Sequence, residues 1–337
     1  MTRVALIGAG KMGISHLAIL GAHPDVQVVG VADTSKIVTD VLGKYSNFEC
    51  FADYQKMLDK TKPDAVFVAA PTKYHGTIVK ELLNKGIHVF VEKPFCLSVN
   101  EGAELVALSK QKKLVTQVGY HNKFIGTFEE AKKIVSSGAI GEIEHFLGEA
   151  YGPVVVRKKQ ETWRSKPEEG GGCLLDYASH VIDLLNYLVA PIDKVHGAML
   201  KSIYSGNVED AVYALLETGN KISGVLQVNW SDETYRKMST TITIIGSKGK
   251  IICDATEIKI YFKEADCPAP YTKGWNIKHI NDFAEEVAFY LRGEEYSAQV
   301  DYFIKAIQGS VPNTKNNFES AWLTDSVIDK IKNKKNN

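Results

Sequence analysis

Long hydrophobic runs are missing from this 337-residue chain. No stretch of about 18 apolar residues occurs, which excludes a membrane-spanning helix. The opening "MTRVALIGAG" has one arginine and a short apolar run into glycines, without the apolar core and cleavage site of a secretory leader. Neither sign of charge is in surplus: Lys plus Arg and Asp plus Glu number 40 each, so no global basicity invites nucleic acid or an acidic membrane. Cysteine is sparse, at five residues with no CxxC pair, so a disulfide framework is not expected. These absences point to a cytoplasmic protein with no nucleic-acid or membrane partner. The sequon Asn229-Trp230-Ser231 then reads as an accident of composition, and the tail "KIKNKKNN" as a frayed end.

What is present is an apolar content of 45% with 24% charged residues, enough core for about two domains at roughly 150 residues each. The first part alternates apolar strands (Val4–Ile7, Val26–Ala32, Ala65–Ala69, Ile87–Val91, Leu114–Val118) with helical stretches near Met12–Gly21, Thr34–Tyr45, Tyr54–Lys60, Gly76–Lys85 and Val99–Lys112. Strands apolar on both faces, alternating with helices, imply an α/β fold with a doubly wound parallel sheet. After about Asn122 the pattern changes. Helices at Gly126–Ser137 and Asp176–Leu188 accompany strands at Ile143–Ala150, Val195–Leu200, Ala211–Glu217, Ile222–Trp230, Thr240–Gly246 and Ile258–Lys263, linked in part by short turns. That pattern implies an α+β domain with a large, mostly antiparallel open sheet. Helical stretches at Ile280–Arg292, Ala298–Gln308 and Glu319–Ile331 close the chain. The expected division is residues 1–121 for dinucleotide binding and 122–337 for substrate binding and oligomerisation, with the C-terminal helix able to pack back on the first domain.

"VALIGAGKMG" places Gly8, Gly10 and Gly13 in GxGxxG spacing after a strand and at the opening of a helix. The first glycine serves a tight turn and the second close approach to a pyrophosphate. The third serves helix packing, and the helix start at Lys11 and Met12 offers amides. Asp33 ends the next strand, twenty residues past Gly13, where a carboxylate accepts from ribose hydroxyls and repels a 2′-phosphate. The spacing predicts NAD rather than NADP. His16, on the same helix, reads as a packing histidine.

Two further loops leave the same sheet edge. "AAPTKYHG" brings Pro71, Thr72 and His75 toward a cofactor, or is a plain strand-to-helix loop. "VEKPF" ends an apolar strand in Glu92 and Lys93, at the edge where open α/β sheets bind ligands. In "GGGCLLDYASHVIDLLNYL", Val181, Leu184, Leu185 and Leu188 form an apolar stripe, with Asp176, His180, Asp183 and Tyr187 as the row beside it. Asp176 and His180 share a face at i, i+4, and Gly170 to Gly172 would let backbone pass a ligand closely. The bland alternative is an amphipathic helix with solvated polar residues. No set of metal ligands is completed nearby.

Together Gly8-Ala9-Gly10-Lys11-Met12-Gly13, Glu92-Lys93-Pro94, Trp163-Arg164 and Asp176-x3-His180-x2-Asp183 make the chain resemble the Gfo/Idh/MocA oxidoreductases, the glucose-fructose oxidoreductase and inositol dehydrogenase family. The resemblance implies a Rossmann domain, a second domain whose sheet pairs subunits into dimers or tetramers, and oxidation of a hydroxyl on a sugar, cyclitol or sugar nucleotide. It also implies Lys93, Asp176 and His180 as the catalytic group. On that reading His180 takes the hydroxyl proton, Lys93 steadies the oxyanion, Asp176 accepts from a neighbouring hydroxyl and Asp183 orients structure. Tyr120, His121, Asn122, Lys123, Tyr151, Arg157, Trp163 and Arg164 are candidates for the substrate half of the cleft; Lys123 stands where many relatives carry arginine. The competing reading is a regulatory protein of the same fold that binds dinucleotide and sugar without turnover.

Overall fold

The computed structural model describes residues 1–155, 162–283 and 293–334. The chain divides into two compact units, one of Met1–His121 with the described residues of 286–322, the other of the described residues of 122–285 and 323–337.

In the first unit, β1 (Thr2–Ile7), β2 (Val26–Ala32), β3 (Glu49–Phe51), β4 (Ala65–Val68), β5 (His88–Val91) and β6 (Thr116–Val118) form one sheet in the order β3-β2-β1-β4-β5-β6. All its pairings are parallel. Helices α1 (Lys11–Ala22), α2 (Lys36–Tyr45), α3 (Tyr54–Thr61), α4 (His75–Asn84) and α5 (Val99–Lys112) connect successive strands. Asp53 caps α3 by accepting from the Gln55 amide at 2.8 Å. The central strands are buried on both faces, and their side chains alternate between two cores. Val4, Leu6, Phe67 and Phe90 face one way, while Ala5, Ile7, Val66, Val68, Val89 and Val91 face the other.

The second unit contains α6 (Gly126–Ser136), β7 (Ile143–Tyr151), α7 (Ser179–Leu188), β8 (Ile192–Lys201), β9 (Ala211–Thr218), β10 (Ser223–Asn229), β11 (Ser239–Gly246), β12 (Gly249–Cys253), β13 (Glu257–Phe262) and β14 (Gly274–His279). Its strands run in the order β14-β13-β12-β11-β7-β10-β9-β8. Only β7 with β10 is a parallel pair. Burial alternates along the strands. One face packs Phe146, Leu226, Ile244 and Ile260 against Phe128, Val181, Leu185 and Leu188, and the other leaves Tyr213 and Leu215 exposed. A Cβ at Gly148 of β7 would collide with Val181 and Leu185, so this glycine seats α7 directly on the sheet.

Two terminal helices contribute to the first unit. In α8 (Glu294–Ile307), Val300, Phe303 and Ile304 complete the first unit's core on the Phe67 and Phe90 face. The following loop returns to β6, where the Val118 amide donates to the Asn316 carbonyl at 2.8 Å and covers the sheet edge. In α9 (Phe318–Lys334), Phe318 and Ala321 belong to the first unit's core, while Val327, Ile328 and Ile331 belong to the second's. The helix expected at Ile280–Arg292 lies largely outside the described residues, and 280–282 form a 3₁₀ turn. No helix among the described residues is long and apolar enough to cross a membrane.

The "KIKNKKNN" tail is not frayed through Lys334, because Ile331 is fully buried and carries the helix with it. Ile331→Ala should cost about 2–4 kcal/mol, read as a lower urea midpoint, whereas Asn333→Ala on the exposed face should leave the midpoint unchanged.

Candidate active site

At the carboxyl end of β1, Gly8 adopts φ +91°. A Cβ there would sit 2.6 Å from the Ala69 carbonyl oxygen, and one at Gly13 would collide with the Gly8 carbonyl. The loop after β1 therefore crosses tightly against the loop after β4, at the point where the sheet order reverses. Gly10 differs: nothing lies within 4 Å of its would-be Cβ. It precedes α1 without a side-chain cap, and the first turn carries no acid. The start of α1 thus presents uncapped amides to open space, which is what an anion requires. Asp33 borders the loop, with Oδ2 accepting from the Ala9 amide at 2.7 Å and Oδ1 from the Ser35 amide at 2.8 Å. It braces the turn and keeps lone pairs for further donors.

The loops after β4 and β5 are tied together by His75. This ring is buried, with Nε2 2.9 Å from the Ala70 carbonyl and Nδ1 3.0 Å from that of Pro94. Burial pushes its pKa below the ordinary histidine value, against the pull of those carbonyls. Both ring nitrogens face backbone carbonyls, so the ring lies between the two loops, and in its neutral form its single N–H donates to one of them. Pro71 is exposed and Thr72 half-buried at the start of a 3₁₀ turn.

Glu92 is buried, with Oε1 2.6 Å from Nε2 of His16, and Oε2 accepts from the Lys93 amide at 3.2 Å. Burial pushes this carboxyl up, but the hydrogen bond and attraction of His16 and the charge of Lys93 outweigh it and hold it below the usual range. Glu92 therefore faces inward toward α1, and Lys93, the next residue, is half-buried. The partnership of His16 with Glu92 was missed from sequence. Its signal is the buried row His16, Ile19 and Leu20 at i, i+3, i+4 on α1.

In the second unit the polar row is not solvated. Asp176 and His180 are each 4% exposed, and Asp183 is 1% exposed. Asp176 sits in a π turn, Leu174–Ala178, which runs into α7, so the segment expected as one continuous α-helix from Asp176 changes its winding before His180. Arg164 Nε donates to Asp176 Oδ2 at 2.8 Å, and the guanidinium lies 4.6 Å over the Trp163 ring. The turn's first amide, Leu174 N, donates to Glu209 Oε1 at 2.9 Å. Asp183 meets Lys123 Nζ at 2.8 Å, and Lys123 is itself 3% exposed. Burial pushes the Asp183 carboxyl up despite Lys123 and the nearby Thr324 hydroxyl.

Two family models match this architecture. Residues 2–120 match the oxidoreductase family, NAD-binding Rossmann fold, and residues 128–252 match the GFO/IDH/MocA C-terminal domain. The chain belongs to the Gfo/Idh/MocA oxidoreductase family. An uncharacterized oxidoreductase of Schizosaccharomyces pombe is 29% identical over 54% of this chain, which spans about half of that relative, 50% of its length. The dTDP-3,4-didehydro-2,6-dideoxy-alpha-D-glucose 3-reductase of Streptomyces antibioticus is 26% identical over 75% of each protein. A levoglucosan dehydrogenase solved with NADH and levoglucosan has a TM-score of 0.87 at 22% identity, covering 99% of this chain and 97% of that one. At that identity it speaks for the fold.

The open Gly10 corner and the Asp33-braced loop fit the NAD of the family's Rossmann domain. Other expectations for this Gfo/Idh/MocA chain need correcting. The glycine cluster makes room for the chain itself: a Cβ at Gly171 would collide with the Arg164 carbonyl, and one at Gly172 with the Glu209 carboxylate. Tyr151 lies on the face of β7 opposite Phe146, Gly148 and Ala150, hence away from α7. Its hydroxyl donates to Glu149 at 3.0 Å, and its ring stacks on Tyr235. Tyr120, Asn122 and Lys123 are buried, Trp163 is exposed, Arg164 is half-exposed, and Arg157 lies outside the described residues.

The Lys123–Asp183 pair gives a sharp test. Lys123→Met leaves a buried carboxylate without its cation and should cost about 3–5 kcal/mol at neutral pH, while Lys123→Met/Asp183→Leu should recover most of it. Asp183 already has a raised pKa, so the single variant's loss should be small in acid, where the carboxyl is protonated. It should grow as pH rises through that carboxyl's titration. Denaturation midpoints across pH read both effects.

Proposed function

We propose that this oxidoreductase transfers hydride between NAD and a secondary hydroxyl or ketone on a sugar, cyclitol or nucleotide-linked sugar. NAD, when bound, supplies the hydride acceptor. The observation that carries the reading is the burial of Asp176, on a π turn, and of His180, in the first turn of the helix that follows it. Burying two titratable groups costs free energy that a solvated helix face avoids, and π turns concentrate at functional sites. His180 takes the proton from the hydroxyl oxygen and returns it in the reverse direction. Lys93 donates to the same oxygen and stabilises its negative charge. Asp176, held by Arg164, accepts from a neighbouring hydroxyl and fixes the ring. Relatives named for a deoxy-sugar nucleotide and for levoglucosan support a ring substrate. Five unpaired cysteines, three of them buried, accord with a reducing cytoplasmic setting.

A screen of aldoses, cyclitols and sugar nucleotides with NAD and with NADP, followed by reduced-nicotinamide absorbance, should find a substrate with NAD. His180→Ala and Lys93→Ala should each lower its turnover about 10²–10⁴-fold with NAD still bound. Gly10→Ala should fold normally yet bind NAD less tightly. Undiminished turnover in His180→Ala or Lys93→Ala removes that residue from the mechanism, and a panel silent in both directions favours a non-catalytic binder.

The same reading gives the open sheet face to a second copy of the chain. Met199, Tyr213, Leu215, Trp275 and Ile277 on β8, β9 and β14 are all more than a third exposed, an apolar set that self-association would cover. Light scattering should give a dimer or tetramer, and Leu215→Glu should shift it toward monomer; a monomeric wild type overturns the assignment.

A further inference from the structure

We propose that His16 is a positioning residue for Lys93, acting through Glu92. The inference rests on the reading of Lys93 as an active-site group and adds a residue on α1 to it.

The geometry is a two-step chain within the first unit. His16 is 1% exposed and packs beside the stacked Phe67 and Phe90 rings, with centroids at 5.5 and 5.0 Å. Phe303 of α8 packs edge-on against both phenyl rings. That packing fixes the imidazole plane and leaves Nε2 2.6 Å from Glu92 Oε1. His16 Nδ1 is buried with no hydrogen-bond partner among the described residues. Nε2 faces a carboxylate oxygen, so it carries a proton and donates it to Glu92. The other Glu92 oxygen accepts from the Lys93 amide at 3.2 Å. A Cβ at Gly119 would stand 3.0 Å from that oxygen, so glycine at this position leaves the carboxylate its place beside β6. The backbone of Lys93 is therefore oriented by a carboxylate that His16 pins.

A plain packing role does not need this chemistry. The same space beside the stacked phenylalanines would take leucine, and a buried carboxylate that only stabilised the fold need not bond the amide of the next residue. What the arrangement adds is direction: it fixes where the Lys93 side chain leaves the end of β5. A misplacement of about 1 Å at a reacting group can cost roughly 100-fold in rate.

The test compares wild type with His16→Leu, His16→Gln and Glu92→Gln in the full chain. Glutamine places an amide donor near the position of Nε2, leucine does not, and Glu92→Gln keeps size while removing the charge. With the substrate found by the screen, His16→Leu should lower kcat about 10- to 100-fold with KM for NAD within about twofold, and His16→Gln should restore most of it. A second readout needs no turnover: the rate at which an amine-acylating reagent labels Lys93, followed by peptide mass mapping. It should change at least about threefold in His16→Leu and Glu92→Gln, and return toward wild type in His16→Gln, with the labelling of exposed Lys60 unchanged. Unchanged Lys93 labelling in both His16→Leu and Glu92→Gln overturns the proposal, as does a His16→Gln no better than His16→Leu. Altered labelling with kcat intact upholds the coupling of His16 to Lys93 and instead removes Lys93 from the chemistry, so the two failures are distinct.

Discussion

A carboxylate taken from water into a protein interior costs several kcal/mol unless donors replace the lost hydration, and this chain does so at four places that shape its chemistry. At three of them the balance between burial and the groups facing the carboxyl sets the direction of its pKa. Asp210 accepts from the amides of Ile203, Tyr204 and Ser205, the Ser205 hydroxyl and the Trp230 indole. These outweigh burial and lower its pKa. Glu92, with His16 and the Lys93 amide, is also lowered. Asp183, facing chiefly Lys123 and Thr324, is raised because desolvation wins. Asp176 is met by Arg164, a residue reaching in from outside its own helix. His16 for Glu92, Lys123 for Asp183 and Trp230 for Asp210 come from distant parts of the sequence. The tertiary fold is therefore what lets these carboxylates be buried with donors in place of water.

That dependence explains what could be read from the sequence. Strand alternation and GxGxxG are local: whether Val4 to Ile7 is buried on both faces, or a glycine follows a strand, is settled within a few residues. Hence the central strands, the order of helices and the glycine loop were legible, and α5 at Val99–Lys112 was placed to the residue, between the Ser98 cap and Lys113 in the left-handed region. Short edge elements were not. β3 has three residues, Glu49–Phe51, and owes its existence to pairing with Gly30, Val31 and Ala32 rather than to its own pattern. β12 and β14 were lost for a related reason. "GKIIC" is too short for a clear period, and "GWNIKH" carries its apolar residues outward.

The site was legible in its residue types more than in its geometry. Lys93, Asp176 and His180 stand out by motif, but motif is silent about partners. Nothing local announces that Glu92 faces His16, that Arg164 holds Asp176, or that Glu209 fills the space that Gly172 leaves. Tyr151 shows the limit of composition as a guide. An aromatic beside a candidate cleft looks useful, yet the pleat of β7 sends it to the face away from α7, because successive strand residues point in opposite directions.

The π turn is the feature that no periodicity could disclose, and its origin follows from what pins its two ends. Upstream, Cys173 N donates to the Glu209 carbonyl and Leu174 N to its carboxylate, so the start of the segment is fixed to the chain beside β9. Downstream, α7 cannot slide, because Val181 and Leu185 sit in the gap left at Gly148. A π turn takes up one residue more than an α turn over the same span. With both ends held, the surplus residue widens the helix between them, and Asp176 is the polar side chain carried on the widened turn. A strict α-helix would run unbroken from Asp176 to His180; here the widened turn intervenes, and its carboxylate accepts from Arg164. The phase of the helix, set by a glycine on β7 and a glutamate beside β9, thus determines where a carboxylate in the second unit points.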